Sequence, residues 1–163
     1  MFSVLQRDLT VKSGRVGVIS DTHGLARAEA LAALQGCELI LHAGDIGKPE
    51  VLESLAALAP VIAIRGNNDR EPWAKKLPDI LHLRINGVGI CVIHNLQEMR
   101  NNASDFRIVV SGHSHQPMKT LRGGVLFLNP GSAGPRRFKL PAAVARIRIG
   151  GDRIEAQIVQ LKV

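Results

Sequence analysis

Tyrosine is missing from the 163-residue chain, and its aromatic side chains amount to one Trp and four Phe. Proteins that hold single-stranded nucleic acid do so largely on aromatic platforms, so that class of partner is not favoured. Cysteine is almost as scarce. Cys37 and Cys91 stand far apart, each among apolar residues, and read as buried free thiols. A disulfide between them would need an oxidising compartment, which nothing else in the chain suggests. Neither has a second Cys close by, so a thiolate metal site is not expected. Long apolar runs are missing too: none approaches the ~20 residues that cross a bilayer, so no membrane partner is expected. Residues 1–14 mix Arg7, Asp8 and Lys12 with apolar side chains and lack the pattern of a signal peptide. Cytoplasm is therefore the expected location.

Acidic residues thin out toward the C-terminus. Residues 1–114 hold 12 Lys/Arg and 12 Asp/Glu, whereas residues 115–163 hold 9 and 2, so the last third carries the whole net charge of +7. Such a third suits an ordinary solvated face, or the attraction of phosphate esters or nucleic acid. In other respects the composition is globular, 45% hydrophobic and 21% charged. The length suits one domain over residues 1–163, with residues 1–14 as an extension ahead of the first core strand.

From residue 16 onward the pattern is regular. Residues 16–20, 38–42 and 60–64 read as short buried strands, and residues 26–34 and 49–58 as the helices between them, the second with Pro49 in its first turn. Strands and helices alternating at these lengths predict βαβ units and a parallel sheet. The second half changes character. Asn86-Gly87 interrupts apolar residues 81–93 as a hairpin turn, and Gly123-Gly124 does the same within residues 121–128. Residues 107–110 form a further buried strand. Residues 143–149 and 153–161 alternate apolar and charged side chains around Gly150-Gly151-Asp152, a hairpin with one wet face. Parallel strands followed by hairpins predict two stacked sheets with helices outside, an α/β sandwich.

Polar clusters follow the apolar strands: Asp21-Thr22-His23, Ala43-Gly44-Asp45, Gly66-Asn67-Asn68-Asp69, His94, and Gly112-His113-Ser114-His115. Ligands of parallel α/β sheets gather beyond the carboxyl ends of the strands, so these clusters should converge. Taken singly, each has an ordinary explanation. Asp21 can cap a helix, Asp45 can shape a turn, and Asn67-Asn68 suits a loop. The joint pattern is harder to explain that way, because two Asp, an Asn and four of the six His occupy equivalent places. His42 lies inside a strand and reads as core or as support for the site, and His82 as structural. Carboxylate, amide and imidazole ligands without thiolate suit Mn, Fe, Co, Ni or Zn. Seven candidates, Asp21, His23, Asp45, Asn67, His94, His113 and His115, exceed what one tetrahedral ion takes. Two ions sharing a carboxylate fit better, with a bridging hydroxide aimed at phosphorus. Two divalent ions against two carboxylates and a hydroxide leave a positive site, which favours an anionic phosphate ester.

These residues, in this order, resemble the calcineurin-like metallophosphoesterase superfamily. The short chain and Asn129-Pro130-Gly131-Ser132 resemble its small prokaryotic phosphodiesterase branch, the YfcE-like group, from about residue 16 to the C-terminus. The resemblance implies a four-layer α/β/β/α sandwich. It also implies one metal on Asp21, His23, Asp45 and His115, and a second on Asp45, Asn67, His94 and His113, with Asp45 bridging. Mn is the metal it points to first. Asp45, Asn67 and His94 would be central to catalysis, and the substrate would be a small phosphodiester or nucleotide-like molecule. Two departures stand out. Asn68 occupies the place where many members have a His that serves as general acid or phosphate contact. Asn95-Leu96 replaces the rest of a frequent His-Gly-His. Asn68, Arg136 and Arg137 are the candidate substrate contacts. Non-catalytic relatives in the retromer give a competing reading, a protein-binding scaffold. A nuclease or RNA-end processing enzyme and a phosphomonoesterase are further alternatives. Oligomeric state is left open, a homo-oligomer included.

Overall fold

The computed structural model describes residues 2–163. Among them, eleven strands form two sheets. The first strand, β1 (Val4–Leu9), falls inside the stretch read as an extension. It pairs parallel to β5 (Ile80–Ile85) at a sheet edge. All but one of its side chains are exposed, so it lacks the alternation that marks a half-buried strand.

The βαβ reading of the first half holds. β2 (Arg15–Ile19), β3 (Leu39–His42) and β4 (Val61–Ala63) are parallel neighbours. They are linked by α1 (Ala28–Ala33) and α2 (Pro49–Ala56), both a little shorter than the apolar pattern predicts. Val51 and Leu55, four residues apart on α2, are its buried face. The hairpins also stand where their turns are: β5 with β6 (Val88–Ile93), β8 (Met118–Arg122) with β9 (Val125–Asn129), and β10 (Ala143–Gly150) with β11 (Arg153–Gln160). Asn86 takes a left-handed φ of 51°, as a tight Asn-Gly hairpin turn requires.

Pairing between distant segments completes the sheets. The five-stranded sheet runs β11-β10-β2-β3-β4, with β10 antiparallel to β2. The six-stranded sheet runs β1-β5-β6-β7-β9-β8, where β7 is Ile108–Val110 and lies parallel to both β6 and β9. Val16, Val18, Leu39 and Leu41 face Leu81, Leu83, Ile90, Val92 and Ile108 in the core between the sheets. Ile19 and Ile40, on the opposite face, pack with Ala30, Leu34, Val51 and Leu55 of the helical layer. The outer face of the six-stranded sheet, with Cys91, Ile93 and Val109, is covered by Leu96, Met99, Ala103 and Phe106. Leu96 and Ala103 open two short 3-10 turns, Leu96–Glu98 and Ala103–Asp105, and Met99 and Phe106 are the residues that follow them. The side chains of Asn95 and Asn102 accept the N–H of the residue two further on, which favours a turn over a longer helix. The mixed α/β sandwich is thus realised with its fourth layer reduced to turns.

Register sets the stage for the site. Ile19, His42 and Ala63 form one row across β2, β3 and β4. Val92, Val110 and Leu128 form another across β6, β7 and β9. The polar clusters leave the sheets just past these rows.

Candidate metal centre

Beyond the two rows, the chain turns sharply at the residues that carry the candidate ligands. Asp21, His23, Asp45, His113 and His115 have positive φ values of 56°, 45°, 55°, 71° and 62°. Left-handed backbone is uncommon for residues other than glycine and costs free energy unless the surroundings impose it. Here the surroundings do. Asp21 N–H donates to the Gly44 carbonyl, His23 N–H to that of Asp45, and Gly112 N–H to that of His94, so the loops are stitched together. Gly112 has no room for a side chain: a Cβ would overlap Ser20 Oγ and press on Asp21.

The seven side chains meet in one cluster. His115 Nε2 lies 3.2 Å from Asp21 Oδ1, and His23 Nε2 lies 3.8 Å from both Asp21 Oδ1 and Asp45 Oδ2. His94 Nε2 is 3.4 Å from Asp45 Oδ2 and 3.9 Å from Asp21 Oδ1. Asn67 Oδ1 sits 3.0 Å from His94 Nε2 and 3.1 Å from His113 Nδ1. The ring nitrogens of His23 and His115 approach to 3.3 Å. Two overlapping triads, Asp21-His23-His115 and Asp21-Asp45-His94, each bring their donor atoms within 4.8 Å of one another, as a metal ion requires.

One atom shows that the cluster suits a cation. Among the described residues, Asp21 Oδ1 is a buried carboxylate oxygen without a hydrogen-bond partner. Leaving such an oxygen dry and unpaired is costly. Its partner Oδ2 is satisfied by Ser20 Oγ and His113 N–H, so Oδ1 alone points at the imidazoles. Titration leans the same way. Burial alone would raise Asp21 and Asp45, but the imidazoles of His115 and His94 beside Asp21, and His94 with the Asn68 bonds at Asp45, hold both below the usual carboxylate range. Burial would lower His94, yet Asp45 and Asp21 beside it raise it. A field that retains a proton there also favours a metal ion.

The remaining sequence candidates fall in different places. Asn68 is turned inward. Its N–H donates to Asp45 Oδ1 and its side-chain amide to Asp45 Oδ2, both at 2.9 Å. Arg136 and Arg137 are exposed, and Arg136 Nε donates to the Leu140 carbonyl. His42 is buried beneath the site, with Nδ1 accepting Gly44 N–H and Nε2 paired to Thr22 Oγ1. His82 packs on Phe106 and meets Asn101, apart from the cluster.

Several supporting residues had no assigned role in the sequence. Asp69 is buried, and its carboxylate accepts N–H groups from Ile46, Gly47 and Gly66, tying the loop after β3 to the loop after β4. Asn129 donates to the Gly112 carbonyl and Ser114 Oγ, and Ser132 Oγ donates to the Asp21 carbonyl. His94 Nδ1 meets the Ala43 carbonyl at 2.7 Å, which leaves Nε2 facing the cluster. Asn129 and Ser132 stand at the end of β9, at the same level as the ligands beyond their strands. That shared position was the available signal.

The sequence profile of the calcineurin-like phosphoesterase superfamily domain matches residues 15–152. The protein belongs to this superfamily. It is similar to a probable metallophosphoesterase of Methanothermobacter thermautotrophicus, 33% identical over 159 residues that span 89% of this chain and 91% of the relative. Among solved structures, the phosphoesterase YfcE of E. coli superimposes with a TM-score of 0.58 at 26% identity, over 81% of this chain and 87% of that one. Vps29 of Chaetomium thermophilum superimposes with a TM-score of 0.73 over 90% of this chain and 97% of that one. At 16% identity, that likeness concerns the fold alone.

Proposed function

We propose that this chain is a dinuclear metal-dependent phosphodiesterase acting on small phosphodiesters. The observation that carries the reading is the convergence of seven oxygen- and nitrogen-bearing side chains in one cluster that includes Asp21 Oδ1, a buried carboxylate oxygen with no hydrogen-bond partner among the described residues. Asp21, His23, Asp45 and His115 would hold one ion, and Asp45, Asn67, His94 and His113 the other. Asp45 is the proposed bridge because Oδ2 reaches His23 in one half and His94 in the other. Two divalent ions, Mn first and Fe, Co, Ni or Zn as alternatives, would supply Lewis acidity and lower the pKa of water there toward neutrality. The chain's own residues orient that pair. Asn67 Oδ1 sits between two imidazoles, and Asn68 fixes both carboxylate oxygens of Asp45.

That role for Asn68 bears on substrate choice. An amide committed to Asp45 has no proton to give a leaving group, and general acid help is typically worth ~10²–10⁴-fold. Esters whose leaving group needs no proton are therefore the better substrates, aryl phosphodiesters above alkyl ones. Arg136 and Arg137, both exposed, would act on an anionic substrate by long-range attraction. Action in the cytoplasm is part of the same reading; separately, no helix among the described residues is long and apolar enough to cross a membrane.

Metal analysis of the purified protein, together with hydrolysis of bis(p-nitrophenyl) phosphate and an alkyl diester, tests the proposal. The expected result is about two ions per chain and Mn-stimulated turnover that favours the aryl ester. Equal rates on aryl and alkyl diesters would remove the substrate argument. No bound metal and no turnover with any of the five ions would favour a second reading, a non-catalytic scaffold, for which the superposition on Vps29 is the supporting observation.

A further inference from the structure

A cleft opens on the His113 side of the cluster, with a volume of about 480 Å³ and a lining that includes Leu96, Gln97, His113, Gln116, Pro117 and Met118. No carboxylate and no Lys or Arg lines it. Its buried lining is the uncharged Ser111, Gly112 and Asn129; Leu96, Pro117 and Met118 are half-buried along it, and Gln97 and Gln116 stand exposed. Their backbone N–H groups bond to Asn95 and Ser114, but their side-chain amides have no partner among the described residues. A smaller cleft of about 140 Å³ on the other side of His94 is different in kind, lined by Arg65, Asp79 and Glu98.

We infer that the larger cleft is a subsite for an uncharged, flat, hydrogen-bonding ester group of nucleobase type. The inference rests on the phosphodiesterase reading for the position of the phosphate. A diester held at the cluster presents one ester group toward His113, and the cleft begins at that residue. Its neutral lining disfavours a second phosphate, a carboxylate or an ammonium group, each of which would lose water without gaining a counter-charge. Its volume is that of a site for a drug-sized group rather than a methyl. Leu96, Pro117 and Met118 offer apolar and polarizable contact to a ring face. Each free glutamine amide carries a donor and an acceptor, the combination that reads the edge of a base. Leu96 stands where many superfamily members continue a His-Gly-His, so the departure from that pattern contributes an uncharged side chain to the lining.

Two measurements test this. The first compares kcat/KM of the Mn-loaded enzyme for adenosine 5′-(p-nitrophenyl phosphate) and methyl p-nitrophenyl phosphate, which differ only in the group offered to the cleft. The nucleoside ester should be favoured, and the ratio should fall about tenfold in the double variant Gln97→Ala/Gln116→Ala, as expected for the loss of two neutral hydrogen bonds. The second needs no metal and no turnover. Titration of the metal-free protein with adenosine should shift the side-chain amide resonances of Gln97 and Gln116 and leave those of Asn86, in a distant hairpin turn, in place. Equal kcat/KM for the two diesters, or adenosine shifts absent from Gln97 and Gln116, would overturn the subsite. If neither diester is hydrolysed, the phosphodiesterase reading fails separately, and the adenosine titration still decides the cleft.

Discussion

At Asp45 three roles meet in one side chain: a left-handed backbone, two bonds from Asn68, and an Oδ2 shared between His23 and His94. The partner of such a carboxylate sets its orientation, and outer partners of metal ligands are typically worth ~10–100-fold in metal affinity. Asn68→Ala should weaken binding by that factor in a metal titration. An unchanged affinity would show that Asn68 does not position Asp45. His42 makes a second residue-level prediction. Burial, the largest influence on it, pushes its pKa down to about 4 from an ordinary 6.5. The folded chain then binds fewer protons than the unfolded one between those values, so this group's contribution is present above pH 6.5 and is lost as pH falls toward 4. The full difference is about 3 kcal/mol. His94, raised in the metal-free chain, has the opposite sign: its contribution is present at low pH and lost as pH rises through its folded value. Urea unfolding of metal-free wild type and His42→Gln at pH 7 and pH 5 isolates the first effect. The wild type should lose more stability than the variant on acidification, and parallel losses would exclude His42 as the cause.

Elements position these residues through close contact between loops. Gly112 lets the β7 exit loop lie against Ser20 and Asp21, at the exit of β2. Gly112→Ala must push that contact apart. Overpacking of this kind costs about 1–3 kcal/mol, and the displaced Asp21 should weaken metal binding as well. Thermal unfolding and metal titration of this variant would both have to match wild type for the contact to be unimportant. The sequence revealed elements unevenly. β2, β3, β4, α1 and α2 are periodic and flanked by punctuation, so they were legible. The three hairpins were legible because glycine and asparagine mark their turns. β1 was not, since an edge strand with both faces exposed carries no apolar alternation. The turns 96–98 and 103–105 were also missed, because two asparagine side chains decide them through local bonds rather than through any period.

The whole molecule joins two sheets through one core, and the cluster lies where their strand ends meet. Cys37 packs in the helical layer and Cys91 on the far face of the other sheet. Burial raises both thiols, Cys91 to about 12, which disfavours their thiolate forms in the folded protein. A thiol reagent should label them only as the molecule unfolds, and added Mn should slow that labelling while raising Tm. A ligand at 100 times its Kd stabilises the native state by about 2.7 kcal/mol. Rapid labelling of either Cys in the native state would contradict their burial. The residue types of the candidate ligands and their places after strands were legible in the sequence alone, because a strand end followed by Asp, Asn or His is a local pattern. The sequence equally fixed Asn68 as a departure from the superfamily, but not what it does. Only the tertiary structure turned its amide onto Asp45, left Asp21 Oδ1 without a hydrogen-bond partner and left Arg136 and Arg137 exposed. These outcomes depend on β10 entering beside β2 and β9 beside β7. Such pairings join segments far apart in the chain, and no local spacing specifies them.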